Sequence, residues 1–214
     1  MADTPALAVA VFVSGRGSNV QAIQDKIDRA ELNARIVLMI SSSAKAGALE
    51  IARRHHIPAF TLTADQYVDE AAYSQALLHL LEDHAVRLIV LAGYLKKVPV
   101  QIVQSYRHRM INIHPALLPS FGGQGLYGRH VHEAVLNYGC KVSGATVHLV
   151  DFEYDTGQPL LQRCVPVQEE DTPETLAARV LAVEHEILPE AIRLFAENRI
   201  QVQEGRVRIR AERG

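Results

Sequence analysis

Short, almost wholly apolar runs recur along this chain, and a helix-forming stretch follows each of them. The runs cover residues 7–13, 35–40, 87–92 and 110–114, with a shorter one at 58–62. A run this short that is apolar on both faces is typical of a strand buried in a parallel sheet. Helices are predicted between the runs, at about 18–30, 46–55, 65–84 and 99–106. Strands alternating with helices predict a doubly wound, Rossmann-like α/β fold around a mainly parallel sheet.

The pattern changes after Pro119. A helix is predicted at about 129–137, and two strands, 145–150 and 160–167, then follow with no helix between them. Such a pair predicts antiparallel strands added to the sheet in the C-terminal half.

The last long helix has a clear start signal. Thr172 and Pro173 suit the N-cap and the first helical position, so this helix is predicted to run toward Glu197, with an interruption at Pro189. A small strand pair is expected within 200–209. Because no linker or repeat is visible, one domain over 1–214 is predicted, with lobes of about 1–100 and 101–214.

Composition narrows the class of protein. The 214 residues carry a formal net charge of −2, which gives no sign of a nucleic-acid or anionic-membrane partner. No apolar run approaches the roughly 20 residues of a membrane span. Cys140 and Cys164 lack metal-site spacing, and the N-terminus has no basic leader, so a reduced, cytoplasmic chain without metal is expected.

The run at 110–114 carries two polar residues. Asn112 and His114 stand two apart, so their side chains point to the same face at the strand's C-terminal end. In open α/β sheets this end is where ligands bind. The alternative is two satisfied polar groups at a strand terminus.

A glycine-containing turn follows the first strand, with the sequence Ser14-Gly15-Arg16-Gly17-Ser18-Asn19. It lacks the third glycine of a dinucleotide fingerprint, since position 20 is Val20, and no acidic residue ends the second strand. A monophosphate at the start of the helix is the remaining functional interpretation. A plain strand-to-helix turn is the alternative.

An acidic turn follows the strand predicted at 145–150. It carries Asp151, Glu153 and Asp155, and acidic turns are often only solvated. If Asp155 reaches His114, it is expected to raise the pKa of that imidazole and to fix its tautomer. Asn, His and Asp together suit acyl transfer, with the amide donating to an oxyanion and the other two handling protons.

Four motifs in this order resemble the phosphoribosylglycinamide (GAR) formyltransferases of the folate-dependent formyltransferase superfamily. They are S-G-R-G-S-N at 14–19, L-A-G-Y-L-K at 91–96, I-N-I-H-P-A-L-L-P at 111–119 and G-x-T-V-H-x-V-x-x-x-Y-D-x-G at 144–157. The resemblance runs from about Val9 to Ile200 and implies a single formyltransferase domain with a phosphate-binding and a folate-binding lobe.

The resemblance also implies a reaction. A formyl group would pass from 10-formyltetrahydrofolate, a co-substrate, to the primary amine of GAR in purine biosynthesis. Asn112 and a protonated His114 would donate to the oxyanion, while Asp155 would keep His114 charged and collect the amine's proton.

By position, the resemblance assigns further residues to the two substrates. Those for GAR are Gly17, Ser18, Asn19 and Glu184, and those for folate are Tyr94, Leu95, Lys96, Val98, Val150 and Tyr154. Leu149 and Phe152 depart from the family's usual residue types, and the loop Phe121 to Gly128 is longer than in some members. His132 matches a histidine near the family's site.

Other functions remain open. A formyltransferase acting on a nucleotide-sugar is one alternative, because such a sugar also offers an amine and phosphates. From a different class, a non-catalytic nucleotide-binding module would share the sheet. The oligomeric state is undecided, with a homodimer as one candidate.

Overall fold

The computed structural model describes residues 5–211, which fold around a seven-stranded sheet. Its strands are β1 (Leu7–Val13), β2 (Ala34–Ser41), β3 (Ala59–Thr61), β4 (Leu88–Leu91), β5 (Met110–His114), β6 (Val142–Leu149) and β7 (Pro159–Pro166). They lie in the order β3-β2-β1-β4-β5-β6-β7. The first five are parallel, and β6 and β7 are antiparallel additions. The predicted fold class is confirmed.

Helices cover both faces of the sheet. They are α1 (Ser18–Asp28), α2 (Ala48–Arg54), α3 (Glu70–Asp83), α4 (Val100–Ser105), α5 (Arg129–Tyr138) and α6 (Pro173–Ala196), and a hairpin of β8 (Ile200–Gln203) and β9 (Arg206–Ile209) follows. Strand β1 shows how the faces divide: Val9 and Val11 pack with α1, α2 and α6, whereas Ala10 and Phe12 pack with α3 and α4. The strand is apolar throughout because both of its faces are core.

Two predicted helices differ from the structure. The stretch predicted at 65–84 divides into a 3-10 turn, Ala64–Gln66, and α3, because the Asp69 carboxylate accepts from Ala72 N–H at 2.8 Å and starts a new helix. The interruption predicted at Pro189 is wrong, since α6 continues through it. Proline removes one helical hydrogen bond, but Pro189 is buried and α6 packs against α1, α5 and β6, which holds the helix together.

The strand order places a crevice at one edge of the sheet. Strands β2 and β3 extend from one side of β1, and β4 and β5 extend from the other. The connections after β1 and β4 therefore diverge at the strands' carboxyl ends, where ligands bind in such folds. Within residues 5–211, no helix has the length and apolar character needed to cross a membrane.

Candidate active site

A cavity of about 1040 Å³ opens at the carboxyl ends of β1, β4 and β5. This volume suits two small substrates. Every residue assigned to a site from the sequence lines it: Gly17, Ser18, Asn19, Tyr94, Leu95, Lys96, Val98, Asn112, His114, Val150, Tyr154, Asp155 and Glu184. His132 lines it as well. Residues far apart in the chain therefore share one cavity.

The pairing of β5 with β6 builds the centre of the site. Asn112 lies opposite His148, and His114 lies opposite Thr146. Thr146 accepts from Leu118 N–H at 3.1 Å and donates to the Ala116 carbonyl at 2.7 Å, which fixes the turn after β5. The two strands thus bring an amide and two imidazoles to one end of the sheet.

His148 is a site residue that the sequence reasoning missed. It is 2% exposed, and its Nδ1 lies 2.9 Å from the Leu149 carbonyl, which can only accept, so Nδ1 carries the proton. In the neutral ring Nε2 then accepts from Asn112 Nδ2 at 3.0 Å. His148 therefore orients the Asn112 amide. The signal was available: Thr146 and His148 stand two apart, as Asn112 and His114 do.

Asp155 reaches the end of β5 from the acidic turn. Its Oδ2 lies 3.6 Å from His114 Nδ1 and accepts from Gly123 N–H at 2.9 Å. Its Oδ1 lies 3.4 Å from both Asn112 Nδ2 and His148 Nε2. One carboxylate thus faces the amide and both imidazoles.

Asp155 raises the pKa of His114, as expected, but the net shift of this pKa is downward. His114 is 3% exposed, and this burial lowers its pKa by more than Asp155 and the Phe121 carbonyl raise it. Asp155 behaves differently: burial raises its pKa, but His148, His114 and the Gly123 N–H together outweigh burial and lower it. The resting site at neutral pH therefore holds an ionised carboxylate beside a neutral imidazole.

The His114 ring is not oriented to donate directly to an oxyanion, as the resemblance implied. Its Nε2 lies 2.8 Å from the Phe121 carbonyl, an acceptor, so Nε2 carries the proton. Nδ1 then faces Asp155 as an unprotonated nitrogen. The neutral ring can therefore accept one proton, at the position nearest the carboxylate.

The turn between β1 and α1 has the geometry of an anion site. Gly17 precedes the helix with φ +85°, and no side chain caps the helix. A β-carbon at Gly17 would lie 2.7 Å from Ala48 Cβ, so both the backbone angle and the packing require glycine. The uncapped N–H groups at the start of α1 adjoin the cavity and can receive a phosphate.

Glu184 and Asn19 lie beside this turn. Asn19 Nδ2 donates to Glu184 Oε2 at 2.7 Å, and both residues are 8% exposed. Burial raises the pKa of Glu184, and the Asn19 hydrogen bond lowers it by less. Asn19 Oδ1 is buried and has no hydrogen-bond partner among residues 5–211, so it is open to a hydroxyl donated by a ligand.

The predicted folate residues line the same cavity. Tyr94 is 8% exposed and its hydroxyl lies 3.2 Å from that of Tyr73, while Leu95 is half exposed and Lys96 is exposed. Lys97 bonds Glu153 at 3.1 Å, linking this part of the cavity to the acidic turn.

The two departures from the family's residue types differ in position. Phe152 lines the cavity, whereas Leu149 is buried in the core and does not. Only the first therefore changes the cavity's lining.

Two further features bear on what the cavity could bind. His132 is 4% exposed, and its Nδ1 has no hydrogen-bond partner among the residues that the structure describes. Burial, and to a lesser extent His114, lower the pKa of His132. In the part of the chain that the structure describes, no three His, Cys, Asp or Glu residues are grouped as a metal would need.

Comparison with known proteins identifies the family to which this fold belongs. The family model described as formyl transferase matches residues 7–192, so the fold and the cavity belong to a formyl transferase.

Three relatives define the branch. The chain is 43% identical over 197 residues to the chloroplastic phosphoribosylglycinamide formyltransferase of Arabidopsis thaliana, covering 92% of this chain and 68% of that one. It is 38% identical over 184 residues to the phosphoribosylglycinamide formyltransferase of Bacillus subtilis, covering 86% and 92%. The crystal structure of glycinamide ribonucleotide transformylase 1 from Symbiobacterium toebii superposes with a TM-score of 0.89 at 41% identity, covering 95% and 94%. The chain belongs to the phosphoribosylglycinamide formyltransferase family of formyl transferases.

Proposed function

We propose that this enzyme transfers a formyl group from 10-formyltetrahydrofolate to the primary amine of GAR. The observation that carries the proposal is the position of Asp155 Oδ2, 3.6 Å from His114 Nδ1, in the cavity that Gly17 to Asn19 also line. An anion site and a proton-handling pair in one cavity suit an amine that carries a phosphate. The names of the relatives supply the substrate.

The phosphate of GAR would bind at the start of α1. Its oxygens would accept hydrogen bonds from the free N–H groups at the start of α1 and from the Ser18 hydroxyl. The ribose hydroxyls would meet Glu184 and the unpartnered Oδ1 of Asn19. With its phosphate bound there, GAR would extend its amine toward β5, because the start of α1 and the end of β5 line the same cavity.

The folate would occupy the part of the cavity that the predicted folate residues line. Tyr94, Leu95, Val98, Val150 and Tyr154 would contact its pterin ring, and the exposed Lys96 would attract its glutamyl carboxylates. The division into a phosphate lobe of about 1–100 and a folate and catalytic lobe of about 101–214 stays a prediction. In this arrangement Glu184 of the second lobe would reach the GAR end, and Tyr94 to Val98 of the first lobe would reach the folate.

In the reaction, the amine nitrogen attacks the formyl carbon and the carbonyl electron pair moves onto oxygen. The nitrogen then carries an extra proton, which passes to Nδ1 of neutral His114, directly or through water. The resulting imidazolium is stabilised by Asp155. Asn112 Nδ2 donates to the new oxyanion the hydrogen that reaches Asp155 Oδ1 over 3.4 Å in the free site. As the carbon bond to the folate nitrogen breaks, that nitrogen takes the proton.

These contributions have known sizes. One oxyanion donor is worth about 3–4 kcal/mol, and general acid–base assistance about 10²–10⁴ in rate. Holding both substrates in one cavity lowers the entropic part of the barrier. The described side chains need form no covalent intermediate.

A formyl-transfer assay with three amines tests the proposal. GAR should be formylated with one tetrahydrofolate released per turnover. Dephosphorylated GAR should show a much higher KM, because it cannot use the start of α1. Equal use of a nucleotide-sugar amine, or equal KM values for GAR with and without phosphate, would contradict the proposal.

A further inference from the structure

The main chain of Phe121 to Gly123 contacts two of the proposed catalytic groups. The Phe121 carbonyl accepts from His114 Nε2 at 2.8 Å, and Gly123 N–H donates to Asp155 Oδ2 at 2.9 Å. Three residues of backbone thus bridge a strand residue and a turn residue that are 3.6 Å apart. The spacing of the pair depends on the path of this segment.

The backbone at these contacts is unusual. Of the described non-glycine residues with positive φ, five follow helix ends and one lies in the β8–β9 turn; the other two are Phe121 at +56° and Asp155 at +57°. Non-glycine residues in this region are strained and are enriched at functional sites.

Gly123 completes the segment with φ +103°, an angle that L side chains rarely adopt. No heavy atom lies within 4 Å of where its β-carbon would stand. Packing therefore does not require glycine at 123; the backbone angle that aims its N–H at Asp155 does.

We propose that Gly123 is a positioning residue, whose N–H holds the Asp155 carboxylate against His114 in the geometry needed for proton transfer. This inference rests on the proposed function for its effect on rate. The positioning itself does not depend on which substrate binds.

The variant Gly123→Ala tests this with a matched control. Gly139, at the end of α5, also has positive φ, +79°, and open space around its β-carbon, but it lies outside the cavity lining. Gly139→Ala therefore introduces the same kind of backbone strain without touching Asp155. Unfolding in urea measures the stability cost of each variant.

The first readout uses no substrate. The Asp155 carboxyl carbon is titrated by NMR, with His114, His148 and the nearby His132 followed in the same samples as the groups that face this pocket. Because the Gly123 N–H contributes to the lowered pKa of Asp155, Gly123→Ala should raise that pKa and Gly139→Ala should leave it unchanged. An unchanged Asp155 pKa in Gly123→Ala overturns the proposal.

The second readout is turnover. Gly123→Ala should lose roughly 10- to 100-fold in kcat, with KM for both substrates within about threefold, as expected for displaced reacting groups. An equal loss in Gly139→Ala would make strain, not positioning, the cause. If the wild type formylates no amine, the proposed function fails, and the titration still decides the positioning.

If Gly123→Ala does not fold, the wild type supplies the test. A hydrogen bond to Asp155 requires the Gly123 amide proton to shift as that carboxyl titrates. An amide shift with no inflection at the Asp155 pKa overturns the proposal.

Discussion

Replacing Asp155 by asparagine isolates the charge of this side chain from its shape. Asparagine keeps an oxygen that can accept from Gly123 N–H, and it tolerates the left-handed backbone at φ +57° better than most residues. The fold should therefore persist. What the variant loses is the negative charge 3.6 Å from His114 Nδ1.

The size of the loss follows from that distance. At an effective dielectric constant of about 20, two unit charges 3.6 Å apart attract by roughly 4–5 kcal/mol. This attraction exists only once His114 has taken the amine's proton, so its loss raises the barrier and leaves ground-state binding largely unchanged. At about 1.4 kcal/mol per factor of ten, kcat should fall about 10³-fold.

The assay is formyl transfer followed by folate absorbance, with kcat and both KM values measured. Asp151→Asn is the matched control, because Asp151 lies on the same turn and its carboxylate accepts from Phe152 N–H. The control should stay within about threefold of the wild type. An Asp155→Asn enzyme within threefold of wild-type kcat would refute the role of the carboxylate in proton transfer.

Three further predictions follow from the same geometry. The acidic limb of the kcat/KM profile should lie below pH 6.5, the ordinary value for His114, because burial lowers that pKa and only the neutral ring can accept a proton; a limb above 6.5 would contradict this. Burial raises the pKa of Glu184, so above pH 4.5 the folded state binds a proton that the unfolded state has lost. As pH rises above 4.5, the free energy of unfolding of the wild type should therefore fall relative to that of Glu184→Gln. If urea unfolding gave the same pH dependence for both proteins, this prediction would be wrong. Gly17→Ala should lower the free energy of unfolding by about 1–3 kcal/mol. Gly15→Ala should change it little, because no atom lies within 4 Å of the added carbon. Equal free energies of unfolding for the two variants would contradict the claim that packing requires glycine at position 17.

Local patterns in the sequence predicted the elements that position the site. The apolar runs located β1 to β5, and the period of two placed Asn112 and His114 on one face of β5. The same period applied to Thr146 and His148 would have found the second imidazole. Its partner, Asn112, is fixed by the antiparallel register, which is non-local.

Other features depend on contacts that no local pattern encodes. Asp155 was assigned to His114 through resemblance, since 155 and 114 are brought together only by the fold. The direction of the pKa shift of His114 could not be predicted without knowing how deeply the ring is buried, because burial lowers this pKa by more than the Asp155 carboxylate raises it. Its orientation required the Phe121 carbonyl, a main-chain atom whose position no side-chain motif predicts.

The destination of the formyl group tests the central claim most directly. The wild-type enzyme is supplied with GAR and 10-formyltetrahydrofolate carrying ¹³C in the formyl group, and the label is followed by NMR. The site described here predicts that the label appears in the formamide of GAR, in step with tetrahydrofolate release. Label accumulating as free formate would show that the cavity delivers the group to water, and would contradict a phosphate-anchored amine as the acceptor.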